Sequence, residues 1–176
     1  MKFSFFSILI LSLLLACQPE TKHSETVPNP SFNKAVAVVN PIGDSGVNGT
    51  VRFELTDAGV SVTAVLSGLG EGNHGFHIHQ YGDCTASDGT SAGGHFNPGG
   101  NMHSSPEATN RHMGDMGNIQ SNSNGEASLY YVDKAITMDQ IIGRGIIVHA
   151  GEDDLTSQPS GAAGARIACG VIGIAE

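Results

Sequence analysis

Three features predict an all-β domain, an antiparallel sandwich or flattened barrel. Short apolar stretches alternate with Gly, Asn and Asp punctuation, charged residues make up only 14% of the chain, and 24 glycines stand against no tryptophan. No amphipathic helix of ordinary length competes with that reading. At 176 residues the chain suits one domain plus a targeting segment, and it can bury a sizeable core.

The first element is the targeting segment, residues 1–16. Lys2 supplies a positive start, and the apolar run over 5–15 is too short to span a bilayer comfortably, as in a secretory signal. Leu14-Leu15-Ala16-Cys17 resembles a bacterial lipobox, which implies a lipidated Cys17 as the mature N-terminus. The alternative is plain cleavage near Ala16. Residues 17–33 are polar, contain Pro19, Pro28 and Pro30, and read as a flexible tether to a domain over 34–176.

Within the domain, strands are predicted over 35–39, 51–56, 60–66, 75–79, 127–132, 146–149 and 165–174. Asp57-Ala58-Gly59 and Asn122-Ser123-Asn124-Gly125 supply turns between neighbours. Two long segments, 80–111 and 150–164, lack strand character. Loops of that length inside a compact domain are usually functional or disordered. With Cys17 assigned to lipid, Cys84 and Cys169 remain as a candidate disulfide, the alternative being two buried thiols. An exported domain sits where disulfides persist, and a loop this long gives about 4–5 kcal/mol in the chain-entropy model.

The net charge of −9 repels nucleic acid and anionic headgroups, so a membrane partner is expected only through the anchor. Against that background the histidines cluster. His77 and His79 occupy alternate positions of one strand and share the face opposite Phe76 and Ile78. His95 and His103 lie in the first long loop, His112 and Asp115 follow it, and His149 ends the apolar run from Ile146. Three imidazoles and a carboxylate fill a tetrahedral zinc site with no open position, whereas an all-imidazole site suits redox-active copper.

The segments GFHIHQYGDC, SAGGHFNP, RHMGDMGN, GRGIIVHAGEDD and GARIACGVIGIA closely resemble the copper/zinc superoxide dismutase family in its bacterial exported form. The resemblance runs from Ala35 to Ala175. It implies an eight-stranded Greek-key β-barrel with two long functional loops, and disproportionation of superoxide to dioxygen and hydrogen peroxide. By the same resemblance His77, His79, His95 and His149 would hold copper, and His95, His103, His112 and Asp115 would hold zinc, with His95 common to both and active in proton transfer. Asp153 would hydrogen-bond one ligand of each metal. Arg166 would attract and orient the anionic substrate, while Arg144 and His74 would be structural. His23 has no assigned role.

Cys84 lies earlier in its loop than in eukaryotic relatives, as in the bacterial arrangement, and Gly94 replaces a common proline. The loop 150–165 carries no lysine or arginine. The resemblance points to the periplasm or cell envelope and leaves a homodimer open. Three rivals are weaker. A copper-delivery protein on this fold would lack part of the Arg166 and copper-ligand set, and a zinc hydrolase needs an open zinc position. The third, a copper-only relative, would lack His103, His112 or Asp115.

Overall fold

The computed structural model describes residues 32–176; the signal segment 1–16, Cys17 and nearly all of the tether lie outside the described residues. Eight strands form the domain: β1 (Lys34–Pro41), β2 (Asn48–Thr56), β3 (Gly59–Ser67), β4 (Gly72–His79), β5 (Asp115–Ser121), β6 (Ala127–Asp133), β7 (Gly145–His149) and β8 (Arg166–Ala175). All pair antiparallel in the closed order β1-β2-β3-β6-β5-β4-β7-β8. The chain therefore crosses the barrel between β3 and β4 and again between β6 and β7, a Greek-key arrangement that leaves no free sheet edge. Among the described residues one α-helix of four residues, α1 (Met138–Ile141), lies in the second crossover. Among the described residues no helix is long and apolar enough to cross a membrane.

Alternation puts the core where the sequence predicts it. In β1, Ala35, Ala37 and Val39 are buried; Val51 and Phe53 in β2 and Val60, Val62, Ala64 and Leu66 in β3 join them. Phe76, Ile78, Ile146, Val148 and Ile172 complete the far wall. The turn residues Gly59 and Gly125 hold positive φ, at 137° and 77°. At Gly59 a side chain would also run into the backbone of Asp133.

The strand β5 is absent from the alternation-based prediction, and a bulge explains why. Gly75 of β4 faces Asn118, while His77, two residues on, faces Asp115, three residues back. The extra residue falls around Gly117, whose φ is 71°. The two apolar residues that reach the core, Met116 and Ile119, are consequently three apart and not two.

β4 and β7 are buried on both faces. One face meets the core. The other, which the sequence reading leaves simply as an outer face, is roofed by the long loops 80–114 and 150–165. The first loop is fastened by Phe96 N–H to the Ile78 carbonyl at 2.8 Å and by Gln80 N–H to the Gly94 carbonyl at 2.8 Å. A disulfide joins Cys84 to Cys169 and ties the same loop to β8, with Cα atoms 5.8 Å apart.

Candidate metal centre

The register of β4 on β7 places Phe76 beside Val148 and His77 beside Ile147. His77 and His79 therefore project to the roofed face together with Ile147, and His149, two residues past Ile147, projects the same way. The returning loop lays His95 against His79 in an isolated bridge. The four rings gather closely, with His77 and His95 centroids 4.0 Å apart and His79 and His149 at 5.6 Å. All four side chains are buried.

Each ring spends one nitrogen on a fixed partner. The Nδ1–H of His79 donates to the Gly93 carbonyl at 2.9 Å and that of His149 to the Gly164 carbonyl at 3.1 Å. The Nε2–H of His77 donates to Asp153 Oδ2 at 2.7 Å. A carbonyl or carboxylate oxygen can only accept, so these bonds set the tautomers and leave bare lone pairs on the opposite nitrogens. Those nitrogens, His77 Nδ1, His79 Nε2 and His149 Nε2, have no protein partner, and neither does His95 Nε2. One ring nitrogen from each of the four residues lies within 4.8 Å of the others. Buried lone pairs aimed at one point call for a cation, and four imidazole nitrogens fit copper.

A second pocket begins on the other side of His95. Its Nδ1 sits 2.7 Å from Asp115 Oδ1, which is also 3.0 Å from His103 Nδ1 and 3.1 Å from His112 Nδ1. His103 donates its Nε2–H to Asp153 Oδ1 at 2.8 Å, so its Nδ1 is a lone pair facing a carboxylate oxygen. Two acceptors in contact are repulsive unless a positive ion lies between them. Ligand atoms about 2.0–2.1 Å from a tetrahedral zinc would stand roughly 3.3 Å apart. The spacing here, 2.7 to 3.4 Å, is close to that cage. The set of three imidazoles and a carboxylate fits zinc.

Asp115 is prepared for this place. Its Oδ2 accepts the N–H groups of Ser104 at 3.1 Å and His112 at 3.0 Å, leaving Oδ1 for the pocket. Burial alone would raise its carboxyl, but the His95 and Ser104 hydrogen bonds outweigh that and hold it well below the usual carboxylate range. Burial, reinforced by the neighbouring rings, pushes His77 and His79 well below the ordinary imidazole value. Burial brings His149 down to about 4. The rings are thus neutral near pH 7, the form that coordinates metal.

Asp153 joins the two pockets, one oxygen on His77 and the other on His103. Its backbone is gripped in turn by Asn118, whose side-chain amide accepts from Asp153 N–H and donates to the Asp153 carbonyl, both at 2.8 Å. Gly161 closes over this contact, and a β-carbon there would collide with Asp153 Oδ1. Beside the first pocket, the half-buried Arg166 donates to the carbonyls of Gly89 at 2.6 Å and Gly93 at 2.7 Å. Gly93 therefore accepts from both Arg166 and His79. The Arg166 charge also contributes to lowering His79 and His149.

His74 and Arg144 lie outside the two pockets. His74 bridges the Gly70 and His149 carbonyls at 2.9 Å each. Arg144 donates to the Gln80 carbonyl at 2.8 Å and lies 3.5 Å above the Phe96 ring. Sequence reading missed Arg111, which donates to the His112, Met113 and Asp115 carbonyls and forms a two-point ion pair with Asp133. It also missed Asn118 and Gln158. Only adjacency to His112 marks Arg111 in the sequence; each of the three also has a partner 22 or more positions away, Asp133 for Arg111, Asp153 for Asn118 and His103 for Gln158. His23 and Cys17 lie outside the described residues.

A Greek-key barrel roofed by two loops, with an all-imidazole pocket and a three-imidazole, one-carboxylate pocket sharing one ring, defines a two-metal protein built for copper and zinc. The chain belongs to the copper/zinc superoxide dismutase family, whose description matches residues 47–172. It is 47% identical over 154 residues to a superoxide dismutase [Cu-Zn] of Schizosaccharomyces pombe, covering 81% of this chain and 98% of that one. It is 43% identical over 153 residues to superoxide dismutase [Cu-Zn] 5 of Dictyostelium discoideum, with the same coverages of 81% and 98%.

Proposed function

We propose that this superoxide dismutase is an exported bacterial lipoprotein in which His77, His79, His95 and His149 hold copper and His95, His103, His112 and Asp115 hold zinc. One observation carries the site assignment: bare nitrogens gather on both sides of the His95 ring, those of His77, His79 and His149 with its own Nε2 on one side and His103 Nδ1 against Asp115 Oδ1 on the other. Two superoxide anions and two protons become one dioxygen and one hydrogen peroxide. Bound copper supplies the one-electron chemistry by alternating between two oxidation states, with zinc remaining redox-silent.

The chain's own groups do the rest. Arg166 draws the anion to the mouth and orients it with its planar donors. His95 holds a proton at Nε2 in one half of the cycle and releases it in the other. Asp153 fixes the directions of His77 and His103, and the carbonyls of Gly93 and Gly164 do the same for His79 and His149. Burial excludes water from the rings, so small displacements of any of them are felt.

The export reading is supported by Lys2, the apolar run 5–15, the Leu14-Leu15-Ala16-Cys17 segment and the polar tether. It places the domain in the periplasm or cell envelope, where the Cys84–Cys169 bond persists. The test has two arms. Metal-loaded protein should consume superoxide with one peroxide formed for every two anions; absence of turnover with both metals bound would overturn the catalytic reading. Mass analysis of the mature N-terminus should find acylated Cys17, and an unmodified end near Ala16 would overturn the anchor.

A further inference from the structure

The loop 150–164 reaches His103 in two places. Asp153 Oδ1 accepts the ring N–H at Nε2. Gln158 takes the backbone: its Oε1 accepts the His103 N–H at 2.8 Å, and its Nε2 donates to the His103 carbonyl at 2.8 Å. One primary amide closes a two-point pair with one residue's main chain, much as a neighbouring strand would. A third bond, from Gln158 Nε2 to the Thr156 carbonyl at 3.1 Å, braces the side chain on its own loop. Gln158 lies 55 positions from His103, and no strand pairing joins the two loop segments. Gln158 is exposed and contributes nothing to the barrel core. Its bonds serve the placement of one residue.

We infer that Gln158 is a positioning residue that couples the place of His103 to the order of the 150–164 loop. This rests on the reading of the second pocket as a zinc site. Asp153 determines where the His103 ring points, and Gln158 determines where its backbone sits, so the Nδ1 lone pair is aimed before any ion arrives. Preorganisation of that kind lowers the ordering cost of binding. Coupling is reciprocal: if the loop helps place His103 for zinc, zinc must help order the loop. The loop runs into β8, whose first residue is Arg166, so the same amide also bears on the chain leading to Arg166.

The test compares wild-type protein with Gln158→Ala and Gln158→Glu, disulfide-intact and metal-free at the start. Zinc affinity is measured by competition with a chromophoric chelator, and amide hydrogen exchange over 154–161 and at His103 is followed with and without zinc. Gln158→Ala is expected to weaken zinc by about tenfold, the lower end of what loss of a ligand-orienting partner costs. It should also abolish most of the zinc-induced protection over 154–161 and speed exchange at the His103 amide. Gln158→Glu keeps the acceptor and loses the donor, and should fall between. Copper affinity of the zinc-free protein should be unchanged. Equal zinc affinity and equal loop protection in wild type and Gln158→Ala would overturn the coupling alone. Failure of wild-type protein to bind zinc would overturn the site assignment and the coupling together.

Discussion

Arg111 grips both carboxylate oxygens of Asp133, at 2.7 and 2.9 Å, with the pair buried between the zinc-side loop and β6. The other terminal guanidinium nitrogen takes three backbone carbonyls across His112–Asp115, so the ion pair holds the loop end that carries His112 and Asp115. Asp133→Ala would leave an uncompensated buried cation, and that loss typically costs about 3–5 kcal/mol. Denaturant unfolding of the metal-free, disulfide-intact protein should show a drop of that size. A change below about 1 kcal/mol would mean that Arg111 finds another partner.

His149→Ala removes one of the four nitrogens of the all-imidazole pocket and touches none of the second set. Dismutation should fall to background while zinc stoichiometry stays near that of wild type. Metal analysis alongside the superoxide assay checks both. Full turnover by the variant would remove His149 from the copper set.

Arg166 is a cation close enough to His79 and His149 for its charge to act on both, with its guanidinium on the Gly89 and Gly93 carbonyls. The chain as a whole carries −9, so attraction of superoxide must be local. Added salt should slow the wild-type reaction by screening that attraction. Arg166→Ala should lower the rate by about tenfold and flatten the salt dependence. A wild-type rate that rises with ionic strength would show that the surrounding acids dominate the field.

Tyr131 titrates in the opposite sense to the histidines. The residue is only half-buried, but its hydroxyl is fully covered and has no hydrogen-bond partner. Burial, then the Asp133 charge, raises the phenol far above its ordinary value. A group raised on folding contributes stability in full below its unfolded value of about 10 and loses it as pH climbs beyond that. Stability should therefore fall above about pH 10, and more shallowly in Tyr131→Phe. Identical alkaline profiles for the two proteins would contradict the burial of a neutral phenol.

Much of this was legible in the sequence because two periodicities carry it. Seven strands announce themselves by alternation, and His77 and His79 declare a shared face by standing two apart. β5 escapes because its bulge at Gly117 breaks the two-residue repeat, and its polar Asn118 and Gln120 disguise it as loop. Burial of the histidine face was equally hidden, since it depends on two loops folding back over β4 and β7. The orienting residues were the hardest to read. Asn118, Arg111, Asp133 and Gln158 are ordinary polar residues whose meaning comes from partners far along the chain. The family resemblance supplied Asp153 and Arg166, which no spacing rule picks out.

A crystal structure of the metal-loaded protein, with anomalous scattering collected at the copper and zinc edges, tests the shared ring most directly. Copper should lie on His95 Nε2 with His77, His79 and His149, and zinc on His95 Nδ1 with His103, His112 and Asp115. Two ions with no ligand in common, or a single ion occupying both pockets, would contradict it.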